Sequence, residues 1–301
     1  MPRVIACAEA EATSLAQCVA NIADFGLDPR DPASVDHAGR ALARLGNDRD
    51  FVGDLMLEEL AARSRDEGPE GAEAYGPQVL MLSRPADNFF IRANVWPGAG
   101  DHALRASGRA AFQYDLPHDH NFHFVTLGYF GPGYWSDYYE YDYAEVAGWT
   151  GEPADLRFHE RSRLAQGKVM HYRAHRDVHL QLPADSLSVS LNVMHTGGAQ
   201  GWLDQYRFDL GTKRIAGMLG RGSSEAFLRI VVGLGGAEAA DLAHRFGQSH
   251  PSDRLRLCAW DALADAQADA GARDVLWARA ERAGSVLVAR EAAARRALLS
   301  A

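Results

Sequence analysis

The stretch His118–Asp142, HDHNFHFVTLGYFGPGYWSDYYEYD, decides the fold that we predict for this chain. It places two histidines one residue apart at the head of an aromatic, β-branched segment. In an extended strand the side chains at i and i+2 point the same way, so His118 and His120 share a face and Asp119 lies on the other. This spacing predicts a chelate in which both imidazoles hold one metal ion.

The residues around this stretch predict a β-domain between two helical regions. Gly131–Tyr134, GPGY, and Trp96–Gly100, WPGAG, supply tight turns between short strands. Strands are predicted for the segments VLMLS, FFIRANVW, FHFVTLGYF, KVMHYRAH, SLSVSLNVM and QYRFDL. Apolar residues spaced three and four apart predict helices before and after them. The predicted division is a helical segment over 1–75, a β-barrel over 76–212 and a helical region over 213–301.

A third metal ligand is expected on a later strand. His171, His175 and His179 share a face if the whole segment from Gly167 to Asn192 is extended, and only one of them need bind. His123 falls on the face opposite His118 and His120, where packing is the expected role. Glu140 is a less favoured candidate, because it lies twenty residues beyond the histidine pair.

The strand after Pro183–Asp185 alternates polar and apolar side chains. Ser186, Ser188, Ser190 and Asn192 alternate with Leu187, Val189 and Leu191. Its polar face is either exposed to solvent or the wall of a cavity that holds the metal.

Together, the HDH motif, the glycine-bearing turn after it, the approach to a third histidine and the closing SVSLN strand resemble the cysteine dioxygenase family, the cupin-fold thiol dioxygenases. The resemblance covers about Val79 to Met194. It implies a fold that is mainly β with flanking helices: a cupin-type double-stranded β-helix, or jelly-roll barrel, with N- and C-terminal helices. Short strands joined by tight turns are typical of such barrels.

The resemblance also implies individual roles. It makes His179 the third metal ligand and leaves His175 as a neighbour that takes part in substrate binding. It places Ser190 and Asn192 at the site, with Asn192 where the family has a histidine. The family's substrate-carboxylate arginine corresponds to Arg84 or is replaced by Arg92. No cysteine lies near the histidines to form the family's Cys–Tyr crosslink.

Three neutral imidazoles suit Fe, Cu, Zn, Ni and Mn and leave open positions for substrate and for oxygen or water. We predict Fe(II) and an oxygenase that uses O2 on a small thiol, amino acid or related carboxylate. Tyrosine, serine and asparagine side chains are expected to orient the substrate. Among the tyrosines between 129 and 143, most are expected to be structural. The predicted catalytic residues are Tyr129, Ser190 and Asn192. The alternatives are a non-catalytic cupin module that binds or senses a ligand, and a metal-dependent isomerase or hydrolase.

Composition limits the partners and the cellular location that the sequence predicts. The 301 residues carry a net charge of −9, which argues against nucleic acid as a partner. Cys7, Cys18 and Cys258 lack metal-binding spacing, and neither a membrane span nor a secretory signal is predicted. We therefore expect a cytoplasmic protein with no membrane partner. A homodimer is also compatible with the sequence, because aromatic residues such as these commonly fill a barrel core or a dimer interface.

Overall fold

The fold is built on short antiparallel strands, as seen in a computed structural model that describes residues 1–8, 10–64, 78–220 and 223–299. The strands in these ranges are β1 (Arg3–Ile5), β2 (Val79–Met81), β3 (Phe89–Trp96), β4 (Phe124–Phe130), β5 (Trp135–Glu140), β6 (Arg157–Arg163), β7 (Val169–Tyr172), β8 (Asp177–Leu182), β9 (Ser188–His195), β10 (Tyr206–Asp209) and β11 (Arg214–Met218). They form a six-stranded sheet in the order β1-β7-β4-β9-β3-β2, a three-stranded sheet in the order β6-β5-β8, and the pair β10-β11.

The order of the strands is that of a jelly roll. The chain passes from the large sheet at β4 to the small sheet at β5 and β6, and returns at β7. It then crosses again at β8 and ends in the large sheet at β9. The residues around His118 extend the small sheet, because His118 and His179 form an antiparallel bridge beside β8. A six-stranded layer and a smaller layer of three strands with the His118 bridge, linked in this way, confirm the predicted cupin-type jelly roll.

Helices occupy the chain on both sides of these strands. They are α1 (Leu15–Phe25), α2 (Pro32–Asn47), α3 (Phe51–Ser64), α4 (His102–Ser107), α5 (Ser223–Gly233), α6 (Ala237–Ser249), α7 (Asp253–Asp265), α8 (Ala270–Ala280) and α9 (Val286–Leu299). Ser14 begins α1 with a capping box to Gln17, and Asp31 caps α2 ahead of a proline at its first position. The predicted N- and C-terminal helices are therefore present.

Alternation along the strands of the large sheet creates two apolar layers. One face of β3, β4 and β9 packs on α1 and α2 through Ile91, Val125, Leu191 and their neighbours. The other face meets the small sheet in an aromatic interior that includes Phe124. Because successive side chains point to opposite faces, one strand supplies residues to both layers.

The chain divides into two compact units, and the division differs from the predicted one. The first unit comprises Met1–Tyr141 and Leu156–Gly197, and the second comprises Asp142–Asp155 and Gly198–Ala301. The N-terminal helices thus belong to the unit that contains the jelly roll, because α2 covers one face of its large sheet. Strand β10, predicted as part of the barrel, pairs with β11 in the second unit. The predicted boundary at 75/76 lies outside the described residues.

The second unit has an apolar core of its own between α5 and α9. Trp260 and Trp277 are buried at its centre among alanine and leucine side chains. None of the helices in the described ranges is long and apolar enough to cross a membrane.

Candidate metal centre

Three histidines converge at one point between the two sheets. Backbone hydrogen bonds of 3.0 Å in both directions join His118 to His179 and fix the segment that carries His118 and His120 against β8. The Nε2 atom of His179 lies 3.2 Å from Nε2 of His118 and 3.1 Å from Nε2 of His120. One nitrogen from each residue lies within 4.8 Å of the other two, and all three side chains are buried.

These nitrogens have the spacing of metal ligands. Two imidazole nitrogens bound to one ion at about 2.0–2.1 Å lie about 2.8–3.4 Å apart at ligand angles of roughly 90–110°. The two separations to His179 Nε2 fall in that interval, and the nitrogens of His118 and His120 lie within 4.8 Å of each other. The three residues therefore fit a single divalent transition metal, as the i, i+2 spacing of the HDH motif predicts.

Burial keeps the three imidazoles in the form that binds metal. It lowers the pKa of His118 to about 4, although the bond to the Leu116 carbonyl opposes this shift. Burial also holds the pKa of His120 and of His179 well below the usual value. The Nδ1–H of His118 donates to the Leu116 carbonyl at 2.7 Å, which leaves the lone pair on Nε2 facing the other histidines. A neutral imidazole with a free lone pair is the state that a cation requires.

Asp119 lies on the opposite face, as strand phase predicts. It is fully buried and accepts a 2.5 Å hydrogen bond from the Tyr141 hydroxyl. The aspartate of the HDH motif therefore anchors the segment and leaves both histidines free to face the interior.

The histidines form part of the wall of a cavity of about 400 Å³, measured to its mouth. β3 contributes one basic, one amide and one indole side chain, while β8 and β9 contribute further amides. The lining residues are Gln78, Arg92, Asn94, Trp96, Gln113, His118, His120, Phe124, Tyr134, His179, Gln181 and Asn192. The wall is therefore polar and aromatic, and it carries one permanently charged side chain, Arg92.

Arg92 is held inside this cavity without an acidic partner. It sits opposite Asn192 in the register of β3 and β9. Its Nε atom is buried and has no hydrogen-bond partner in the part of the chain that the structure describes. Burial lowers the pKa of Arg92, and Tyr134 opposes that shift. A guanidinium in this setting is available to a ligand.

The polar face of β9 forms a wall of the cavity. Of the two predicted alternatives for this face, exposure to solvent and a cavity wall, the second is therefore the one observed. Ser190 accepts a 2.9 Å hydrogen bond from the Trp96 indole and so fixes that ring in the wall. Asn192 lines the cavity and donates to Asn94 Oδ1 at 3.4 Å. Asn192 therefore lies at the surface of the cavity, whereas Ser190, predicted to face the site, is not among the lining residues and lies behind Trp96.

Buried tyrosines flank the histidines on the side of the small sheet. The Tyr138 and Tyr172 hydroxyls lie 3.0 Å apart, and Tyr172 in turn hydrogen-bonds to Tyr134. Burial raises the pKa of all three phenols, so they remain protonated near neutral pH. Local sequence does not distinguish Tyr134 from the neighbouring tyrosines, although the GPGY turn places it next to a strand.

Tyr129 is not at this site, which corrects the prediction of a catalytic role. It is buried on the helix side of β4, and its hydroxyl donates to the backbone carbonyls of Asp48 and Arg49 at 2.9 and 2.7 Å. Strand phase counted from His120 already puts position 129 on the opposite face. Tyr134 is the tyrosine that reaches the cavity.

Arg84 and His175 also lie outside the cavity lining. Arg84 is exposed, so Arg92 is the arginine of this site. His175 occupies the turn between β7 and β8 with φ of 57°, and its backbone N–H donates to the His120 carbonyl at 2.7 Å. Because this turn interrupts the extended stretch, His171, His175 and His179 do not share one face.

The two remaining acidic and histidine candidates have other partners. Glu140 pairs with Arg173 and with His159, far from a ligating position. His123 stacks on His171, with ring centroids 5.6 Å apart, on the helix side of the large sheet. The expectation that His123 is a packing residue is met by this placement.

Comparison with known proteins adds little to this description. No family model and no curated protein matches the chain. The structure of DMSP lyase DddQ from Ruegeria pomeroyi DSS-3 matches at 11% identity over 66% of this chain and 77% of that chain, with a TM-score of 0.26. The structure of the DMSP lyases RdDddP and RnDddQII matches at 11% identity over 66% and 80%, with a TM-score of 0.24. Vicilin from Solanum melongena matches at 9% identity over 42% of this chain and 32% of that chain, with a TM-score of 0.20. Scores this low carry no argument, and the fold and the site stand on strand order and geometry.

Proposed function

We propose that the protein is a mononuclear, non-heme Fe(II)-dependent oxygenase of the cupin type that acts on a small carboxylate, amino acid or thiol. The observation that carries this proposal is the convergence of three buried, neutral histidines in a cavity that also holds an unpaired arginine. Ligands without charge leave the full charge of a bound cation to attract an anionic substrate.

Each part of the cavity has a role in this proposal. Iron(II) held by His118, His120 and His179 would supply a Lewis acid and the means of activating O2. Arg92 binds a carboxylate through its planar fork of donors. Asn192 and Gln181 orient the polar groups of the substrate that lie between the metal and Arg92.

The aromatic side chains shape and dry the cavity. The Phe124 ring lies 4.9 Å from that of His120, and Trp96 lines the same cavity. Both exclude bulk water, which strengthens the electrostatic contacts inside. Tyr134 holds a proton at the wall, next to the polar groups of the substrate. If both atoms of O2 enter the product, no external reductant is required.

A second candidate is a metal-dependent lyase, isomerase or hydrolase that does not use O2. The observation that favours it is the hydrogen-bonded series Tyr134–Tyr172–Tyr138 at the edge of the cavity. A phenol in such a series can donate a proton to a substrate and recover it afterwards.

Metal analysis and oxygen consumption test the proposal together. Protein reconstituted with Fe(II) under anaerobic conditions should hold about one iron per chain, and should consume O2 with one member of a panel of small carboxylates, amino acids and thiols. Replacing His118, His120 or His179 by alanine should abolish stoichiometric iron, whereas His102→Ala, on an exposed turn of α4, should leave it unchanged.

The outcomes separate the candidate functions. Turnover of a panel member without O2 would identify the lyase, isomerase or hydrolase. Saturable ligand binding with no turnover would identify a binding module. Failure of the wild-type protein to retain any transition metal would remove the basis of all three.

A further inference from the structure

The charge inventory of the cavity points to the charge of its substrate. Arg92 contributes one positive charge, and histidines that bind a cation do so in their neutral form. No aspartate or glutamate is among the lining residues of the described chain, and Arg92 forms no ion pair there. With a divalent ion bound, the interior therefore carries three positive charges without a protein carboxylate to offset them.

Positive charge of this kind is costly to bury unless a ligand neutralises it. An isolated ionised group in a region of low dielectric destabilises the protein unless it is paired and hydrogen-bonded. A substrate with one negative charge satisfies either the metal or Arg92. A substrate with two separated negative charges satisfies both.

Gln181 adds a second, independent requirement. Its side chain lines the cavity and is 5% exposed, yet its Oε1 atom has no hydrogen-bond partner among the described residues. Buried acceptors without a partner are rare in folded proteins and are often completed by a ligand. The Gln181 amide also interacts with the Tyr134 hydroxyl, and its Oε1 atom can accept a further hydrogen bond, such as one from a hydroxyl of the molecule that fills the cavity.

We propose that the cavity binds a small hydroxy-dicarboxylate. One carboxylate and the adjacent hydroxyl lie at the three-histidine site, the hydroxyl donates to Gln181, and the distal carboxylate pairs with Arg92. This inference rests on the metal site of the proposed function and specifies the substrate class for it. A ligand with a cationic distal group is excluded, because that group would face Arg92.

Calorimetric titration of four-carbon ligands tests this inference without requiring turnover. The protein is loaded with Zn²⁺, which is redox-inactive, and titrated with malate, succinate, 2-hydroxybutyrate and 4-amino-2-hydroxybutyrate. Malate should bind at least about tenfold more tightly than 2-hydroxybutyrate, since a hydrogen-bonded charge pair is lost with the distal carboxylate. Succinate should bind several-fold more weakly than malate, and the amino compound should not bind detectably.

Substitutions at Arg92 and Gln181 show which side chain causes each difference in affinity. Arg92→Gln should remove the preference for malate over 2-hydroxybutyrate, whereas the matched Arg84→Gln, at an exposed arginine outside the cavity, should retain it. Gln181→Leu should reduce the preference for malate over succinate and leave the part that comes from the hydroxyl at the metal site. Arg92→Lys, which keeps the charge without the fork of donors, should show an intermediate preference and covers the case in which Arg92→Gln fails to fold.

Equal binding of malate and 2-hydroxybutyrate by the wild-type protein would overturn the inference, and so would tight binding of the amino compound. Either result together with stoichiometric metal and turnover would leave the proposed function intact. Loss of metal binding in the wild-type protein, with malate still preferred, would instead contradict the proposed function and retain the anion site at Arg92.

Discussion

At the scale of single residues, burial prepares the candidate site before any ligand arrives. It keeps His118, His120 and His179 neutral by disfavouring their charged forms. It also encloses the charged Arg92: among the described residues no acidic side chain lines the same cavity, and the Arg92 Nε atom has no hydrogen-bond partner. The histidines could be predicted from spacing, since i and i+2 in an extended segment must share a face. Arg92 could be predicted only as one of two arginines, because nothing local distinguishes it from Arg84.

Tyr134 provides a test at the same scale. Tyr134→Phe keeps the ring but removes the hydroxyl that holds a proton at the cavity wall. We expect kcat to fall by about a hundredfold or more, the usual effect of losing a positioned proton donor, with metal stoichiometry unchanged. Steady-state kinetics and metal analysis of the variant measure both quantities.

Tyr139→Phe is the matched control for this substitution. Tyr139 lies on β5 with its ring against Phe158 and does not line the cavity. Its variant should keep both kcat and metal content. An unchanged kcat in Tyr134→Phe would mean that the Tyr134 hydroxyl only packs.

At the scale of elements, the turn between β4 and β5 sets the position of Tyr134. Gly133 has φ of +83°, and a Cβ atom there would lie 1.9 Å from the Leu164 carbonyl oxygen. Both the left-handed backbone and the close approach of another segment require glycine. The GPGY motif predicted a turn at this place, whereas the approach of Leu164 depends on how the strands pack.

Gly133→Ala should therefore destabilise the protein by about 3 kcal/mol or more, since backbone strain of about 1–2 kcal/mol adds to a steric overlap with backbone atoms. Urea unfolding measured by circular dichroism gives the free energy of unfolding. Gly167→Ala is the control, because Gly167 has φ of +81° but no atom within 4 Å of the added Cβ. Gly167→Ala should lower the free energy of unfolding only by the backbone strain. Equal decreases in the two variants would contradict the proposed steric role of Leu164.

Strands with clear hydrophobic periodicity are predictable from the sequence, whereas a polar strand at the edge of a sheet is not. β3 and β9 coincide with apolar or alternating segments and were predicted. β6, with the sequence RFHERSR, was missed because it is a largely exposed edge strand without an apolar face. The turn at His175 was also missed, since no glycine or proline marks it.

At the scale of the whole molecule, the first unit buries a second row of histidines away from the metal centre. His171, His123 and His195 come from the adjacent strands β7, β4 and β9, on the face that packs against the helices. Burial lowers the pKa of His171 to about 3 and of His123 to about 4, and it lowers that of His195 as well. The row is therefore neutral in the folded protein at neutral pH.

This row should make the folded state sensitive to acid. The unfolded chain takes up protons on these histidines near their ordinary pKa of 6.5, whereas in the folded chain His171 and His123 take them up only near pH 3–4. The free energy of unfolding should therefore be highest above about pH 6.5. It should fall as the pH drops from 6.5 toward 4, because the unfolded state binds more protons than the folded state in that range.

His171→Gln isolates one contribution. Its free energy of unfolding should fall less steeply between pH 6.5 and 4, by up to about 1.4 kcal/mol per pH unit for one proton. Val193→Ala, on the same face of β9, should lower stability at every pH but keep the wild-type slope. Urea titrations at a series of pH values measure both, and an unchanged slope in His171→Gln would show that His171 does not control the acid response.

The amino-acid sequence by itself determined the strand and helix classes, the turn at Gly131–Tyr134 and the pair His118–His120, because each depends on neighbours within a few residues. Which later histidine completes the set, which arginine is enclosed, and that Tyr134 rather than Tyr129 faces the cavity depend on tertiary contacts. These side chains come from β3, β8 and the turn before β5, and Arg92 and His179 are 87 residues apart in the chain. Strand pairing brings them together, and periodicity within one segment carries no information about that pairing.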